Sequence, residues 1–269
     1  MYSAGKISFL LLFIISCSPA DRNKSTISNN KPVVDTIRQT NDTINTANNF
    51  YNIYFTFDDG PLEGSKAINA ISKVDSVCFN VFIVGVHVLK KRLWQTYFES
   101  YKTNPFIEMG NHSFSHAAFN HYKRFYCQPA KAFQDFLKNE ELLHLPSKLC
   151  RLPARNMWRL GDTIINDVNS GASVADSLFH YGYRVFGWDL EWQHDSKTGE
   201  PLQSADQMIQ QIFSKLQNHQ TMVKNNIVIL AHDEMFQYKS AQVALKTVVD
   251  KLKTTGRIRF LHLSNYPLY

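Results

Sequence analysis

The chain has 269 residues, and roughly the last 220 are apolar enough to bury the core of one large α/β domain. Its 19 Phe, 12 Tyr and 4 Trp suit either a packed core or a sugar-handling cleft, so they decide nothing alone. The formal net charge is +6, with Lys and Arg scattered; this indicates a solvated basic surface or a weak pull on anionic envelope polymer, and no motif points to nucleic acid.

The chain opens with Lys6 and the short apolar run Ile7 to Ile15, which ends in Ile14-Ile15-Ser16-Cys17. The run is too short to cross a bilayer and suits an export signal. Its end resembles the lipobox of bacterial lipoproteins, which implies a signal peptide over 1–16 and a lipid on Cys17. Residues 17–50 are rich in Asn, Thr, Ser and Asp and read as a flexible tether. The expectation is an exported, lipid-anchored protein facing periplasm or exterior, with its catalytic domain over 51–269. Cys78, Cys127 and Cys150 remain in the body. A Cys127–Cys150 disulfide and buried free thiols are equally open.

From residue 51 strands and helices alternate. Strands are predicted over 52–57, 79–84, 106–109, 148–152, 184–188, 226–230 and 258–261. Helices are predicted over 65–77, 88–101, 130–143, 173–181, 205–216 and 241–252. The alternation implies a parallel sheet with helices outside, closed or nearly closed into a distorted β/α barrel.

Unusual polar groups follow the strand ends, and in a barrel those ends share the face that carries active sites. The first cluster is Thr56-Phe57-Asp58-Asp59-Gly60-Pro61. Two adjacent carboxylates are costly unless a cation or proton sits beside them, although Asp-Gly-Pro alone also fits a polar turn. The alternation of strand side chains, with the Gly60-Pro61 turn, predicts that the two are aimed separately. The second is Asn111-His112-Ser113-Phe114-Ser115-His116, where two His four apart are read as sharing one face of a helical turn. Arg151-Leu152-Pro153-Ala154-Arg155, Gly187-Trp188-Asp189-Leu190-Glu191-Trp192 and Leu230-Ala231-His232-Asp233 complete the set. An Arg beside a carboxylate keeps it charged, and a His at a strand end can act as an acid. Trp188 and Trp192 fit core packing or a sugar-facing role equally. His87, His121, His144, His180, His194, His219 and His262 are read as structural or surface residues.

In this order the five clusters resemble the motifs of the polysaccharide deacetylases, carbohydrate esterase family 4, also called the NodB homology domain. The resemblance covers roughly 53–262 and implies a single-domain barrel that removes acetyl groups from sugar polymers. It implies that Asp59, His112 and His116 hold one divalent ion, zinc or a similar metal such as cobalt. It implies Asp58 as general base, His232 as general acid and Arg151 as the partner of Asp58. Pro153, Ala154, Trp188 and Leu230 would contact substrate, with the Ala154 amide at the oxyanion and Leu230 in the acetate pocket.

Three departures stand out. The third motif usually has Pro, an aromatic and Gly where this chain has Leu152, Ala154 and Arg155. Glu191 stands where the family usually has Asp, and is the candidate for orienting His232. An insertion is expected near Gly161 to Gly171. The expected substrate is an N-acetylated polysaccharide, peptidoglycan or chitin-like, acted on by a monomer. An O-acetyl esterase of xylan type and a catalytically silent glycan-binding lipoprotein are the alternatives.

Overall fold

Alternate residues along the first strand face two different environments, and this places the chemistry. In β1 (Tyr51–Gly60), Ile53, Phe55 and Phe57 point to a helix layer, whereas Tyr54 packs on the opposite side. Thr56 and Asp58 share the parity of Tyr54, so their polar groups are carried to the concave side of the sheet. The computed structural model describes residues 50–268; the expected signal segment, Cys17 and nearly all of the expected tether lie outside the described residues.

After β1 come α1 (Ser65–Asp75), β2 (Phe79–Ile83), α2 (Gly85–Lys90), α3 (Arg92–Lys102) and β3 (Ile107–Asn111). A short turn α4 (His116–Asn120) follows, then α5 (Tyr122–Tyr126), α6 (Pro129–Leu143) and β4 (Leu149–Cys150). Next are β5 (Trp158–Leu160), β6 (Thr163–Ile165), α7 (Ala172–His180), β7 (Arg184–Val185) and β8 (Leu190–Glu191). The chain closes with α8 (Ala205–Gln217), β9 (Asn226–His232), α9 (Lys239–Thr254) and β10 (Ile258–Phe260).

One sheet runs in the order β6-β5-β7-β4-β3-β2-β1-β9-β8. The edge of β1 away from β9 is divided, with β10 pairing Tyr51 to Ile53 and β2 pairing from Phe55 onward. All pairings are parallel except those of β5 with β6 and with β7. The sheet curls into a half barrel, and among the described residues no ladder joins β6 to β8. This is the expected distorted barrel in its open form.

The convex side is closed by α1, α8 and α9, whose Ile68, Met208, Ile212, Leu245 and Val248 are fully buried. Trp192 belongs to this layer. It is fully buried, lies 6.3 Å from Phe55 and 5.9 Å from Phe236 between ring centres, and donates its indole N–H to the Gln203 carbonyl. Such aromatic pairs contribute about 0.5–1.5 kcal/mol each beyond their buried area. Trp192 is therefore a core residue.

One expectation is corrected here, one gains detail and one open alternative is decided. The helix expected over 88–101 is two helices, broken where Lys91 is extended (φ −137°, ψ 135°). Part of the expected insertion is an antiparallel hairpin, β5–β6, turned at Gly161 (φ 52°) and Asp162. Cys127 and Cys150 form no disulfide: Cys150 is fully buried in an apolar cluster, and Cys127 is exposed at the end of α5.

Candidate active site

Asp58 and Asp59 end up on the same side of the sheet, which strict alternation forbids. The ladder between β1 and β2 slips between Phe57 and Gly60, and Asp59 takes a left-handed backbone (φ 71°). Both carboxylates thereby approach one imidazole. His112 Nε2 lies 3.6 Å from Asp58 Oδ2 and 3.3 Å from Asp59 Oδ1. His116 Nε2 lies 2.9 Å from the same Asp59 oxygen.

The path to His116 also differs from the expected helical turn. Residues 116–120 all have positive φ, from 48° to 68°, so α4 is a left-handed turn. For a non-glycine residue this costs roughly 1–2 kcal/mol apiece. Local hydrogen bonds offset part of it: the Ala118 amide donates to Ser115 Oγ at 2.8 Å and the Ala117 amide to Ser113 Oγ at 3.2 Å. The turn brings Asn120 Oδ1 onto His116 Nδ1. His112 Nδ1 donates to the Arg151 carbonyl at 2.9 Å. Both imidazoles are thus held in the tautomer that leaves Nε2 free to face Asp59.

Asp59, His112 and His116 each offer one ligand atom, all within 4.8 Å of one another. Despite the short separations, Asp59 Oδ1 is buried and accepts no well-directed hydrogen bond among the described residues. Three donors of these types this close together could hold one divalent ion. Burial works against the Asp59 charge. The Coulombic pull of His116, contacts with both imidazoles and the charge of His232 outweigh it and hold the carboxyl well below the usual range. Burial likewise opposes charge on His116, and the Asp59 carboxylate overcomes it and raises the imidazole.

Arg151 is fully buried beneath this set. Its Nη1 donates to Asp58 Oδ1 at 2.8 Å and to Thr56 Oγ1 at 2.7 Å. Nη2 donates to the Gly187 carbonyl at 2.8 Å and Nε to the Phe186 carbonyl at 3.2 Å. Four of the five guanidinium N–H groups are used, so the Asp58 carboxyl is held in place beside the Asp59, His112 and His116 set.

His232 ends β9 opposite Asp58 in the ladder and lines the same cleft of about 620 Å³ as Asp59 and His116. Leu230 is buried two residues earlier, in register with Thr56 and Glu191. Pro153 is buried and its carbonyl accepts from the Tyr126 hydroxyl at 2.7 Å. Ala154 is exposed with φ 55°, and its N–H has no hydrogen-bond partner among the described residues. Trp188 is half-buried 5.8 Å from the Arg151 guanidinium.

Glu191 makes no hydrogen bond to His232 among the described residues. The ring against His232 is His194, with centres 4.6 Å apart. His194 Nε2 lies 3.1 Å from Glu234 Oε1. That bond raises the His194 imidazole and lowers the Glu234 carboxyl. His87 also lines the cleft and donates from Nδ1 to the Asp59 carbonyl at 2.7 Å. His87 and His194, read from sequence as structural or surface residues, are therefore cleft residues. Asn120 and Glu234 were missed as well, and Asp233, which closes the fifth cluster, was given no role. Asp233 is buried, accepts a short hydrogen bond from Ser65, and burial pushes its carboxyl up to about 7. The spacing of Asn120 from His116 was a usable signal; nothing in the sequence links Glu234 to His194.

Residues 45–153 match the family model of the polysaccharide deacetylases. The match takes in Asp58, Asp59, His112, His116 and Arg151, and stops before Trp188 and His232. No curated protein matches the chain in sequence. Solved structures that resemble it include a family 4 carbohydrate esterase from Streptomyces lividans in complex with acetate, at 18% identity, covering 79% of this chain and 92% of that one, TM-score 0.54. Another is the catalytic domain of a peptidoglycan N-acetylglucosamine deacetylase from Eubacterium rectale, at 18% identity, 81% and 91% coverage and TM-score 0.59. A mutant of a carbohydrate esterase family 4 pseudoenzyme also resembles it, at 15% identity, 80% and 67% coverage and TM-score 0.56. The fold is that of the family 4 carbohydrate esterases and polysaccharide deacetylases.

Proposed function

We propose that this protein is a divalent-metal-dependent hydrolase that removes acetyl groups from an N-acetylated polysaccharide, peptidoglycan or chitin-like. The observation that carries the reading is the convergence of Asp59, His112 and His116 beside the Arg151-held Asp58. A divalent ion such as zinc, when bound to those three residues, supplies polarisation of the acetyl carbonyl and a more acidic water. Asp58 accepts the proton that water loses as its oxygen bonds the acetyl carbon. Arg151 holds that side chain in place before the transfer. The Ala154 N–H, exposed and free of partners among the described residues, donates to the developing oxyanion. His232 gives its proton to the sugar nitrogen as the carbon–nitrogen bond breaks, and acetate leaves. Leu230 offers the acetyl methyl an apolar wall, and Pro153 and Trp188 flank the sugar.

The same proposal holds that the chain is an exported monomer, anchored by a lipid on Cys17 through the Asn/Thr-rich segment, with a glycan as its partner. Its support is the sequence of the leader, the apolar run and Cys17.

The test is acetate release by the zinc-loaded full chain from peptidoglycan, chitin oligomers and acetylated xylan. Release from either N-acetylated polymer, abolished by a chelator and restored by zinc or cobalt, supports the proposal. Release from acetylated xylan alone makes it an O-acetyl esterase. Glycan binding with no release from any polymer makes it a silent glycan-binding protein, as the resemblance to a pseudoenzyme allows.

A further inference from the structure

His232 is the least anchored member of the site. Its backbone N–H reaches Met235 Sδ at 3.3 Å, but its ring Nδ1 is buried with no hydrogen-bond partner among the described residues. The outer torsion of a His side chain has broad wells, so without a hydrogen bond only packing fixes the ring plane. A proton donor whose plane swings loses the alignment on which its contribution depends.

The contact that fixes this ring comes from the chain between β8 and α8. Residues 193–202 fold back on themselves: the Leu202 amide donates to the Gln193 carbonyl at 2.9 Å, the Asp195 amide to the Glu200 carbonyl at 2.9 Å, and His194 pairs with Pro201. This holds the His194 backbone over the cleft. Its ring meets the His232 ring at 4.6 Å between centres, tilted 60°. The far nitrogen of His194 is tied to Glu234, which is only two residues beyond His232. The tie therefore returns to the segment that carries the acid.

We infer that Glu234 and His194 form a positioning pair for His232, in which Glu234 fixes the His194 ring and the His194 ring fixes the plane of the His232 imidazole. The inference rests on the reading of His232 as the proton donor. Glu234 touches His194 and reaches His232 only through its charge, so the orienting contact runs through the His194 ring. The pair thus takes the place in which sequence reasoning had set Glu191.

The series order gives a test that packing alone would not pass. Full-length zinc-loaded wild type, His194→Ala, Glu234→Ala, Glu234→Gln and the double Ala variant are assayed on chitopentaose. His194→Ala and Glu234→Ala are expected to lower kcat on the order of 10-fold with KM nearly unchanged, as loss of an orienting partner does. Glu234→Gln, which still accepts the His194 N–H, recovers most of the turnover. Glu234→Ala adds nothing in the His194→Ala background. Equal zinc content across the set shows that the effect is not on the metal site. Unchanged kcat in both single variants, additive losses in the double, or loss of zinc would each overturn the inference. Nitrogen-15 spectra of the His232 ring separate this from the activity itself. If wild type releases no acetate, a single ordered ring environment that averages in His194→Ala still supports the pair, and an unaltered spectrum still overturns it.

Discussion

Replacing Arg151 by Met tests how the buried half of the site is held. The guanidinium has no exposure and serves four acceptors: Asp58, Thr56 and the carbonyls of Gly187 and Phe186. Methionine keeps much of the length and removes all four donors. Asp58 is left as an uncompensated carboxylate with 5% of its side chain exposed. Breaking a buried pair from one side costs about 3–5 kcal/mol, a large part of the ~5–15 kcal/mol that holds a domain together. Asp58→Asn alone leaves Arg151 its other three acceptors and costs about 1–3 kcal/mol. The double variant contains no unpaired charge, so it should be more stable than the sum of the single losses by ~1–3 kcal/mol. Urea unfolding of the four proteins, followed by fluorescence, measures the cycle. A loss under about 1 kcal/mol for Arg151→Met, or strict additivity in the double, refutes the argument.

Asn120→Ala should weaken zinc binding by about 10–100-fold with little change in melting temperature, because it frees the tautomer of His116 without entering the ligand set; competition with a fluorescent chelator reads this. Asp233, raised to about 7 by burial, binds its proton more tightly folded than unfolded. Its contribution is present at acid pH and is lost as pH rises from about 4 through about 7. The difference in melting temperature between wild type and Asp233→Asn should therefore change across that window, and a constant difference would contradict the assignment. Cys17→Ala should move the protein from the membrane fraction to the soluble one, and unchanged detergent partitioning would count against the anchor.

Much of the fold was legible because it follows two periods. The alternation in β1 and β9 and the helical stripes of α1, α8 and α9 put apolar residues where the convex core needs them. The polar clusters were legible because each directly follows or ends a strand. What was not legible depends on backbone geometry or on distant pairing. Nothing in the sequence required Asp59 to adopt a left-handed conformation, or residues 116–120 to form a left-handed turn; His112 and His116 come together by a route that a helical spacing argument does not describe. The His194 segment has no periodicity, and its partner Glu234 lies across two intervening elements. Trp192 was ambiguous in sequence, and only its burial against Phe55 and Phe236 assigns it to the core.

The central claim is that the two neighbouring carboxylates have separate tasks, Asp59 as metal ligand and Asp58 as base. Metal content by plasma emission, measured with acetate release from chitopentaose on full-length Asp59→Ala and Asp58→Asn, tests it most directly. The account predicts that Asp59→Ala loses metal and turnover together. It predicts that Asp58→Asn keeps its metal and loses most of its turnover, because an amide cannot take the proton. Metal lost from Asp58→Asn and retained by Asp59→Ala would reverse the roles, and full activity in both would contradict the deacetylase reading itself.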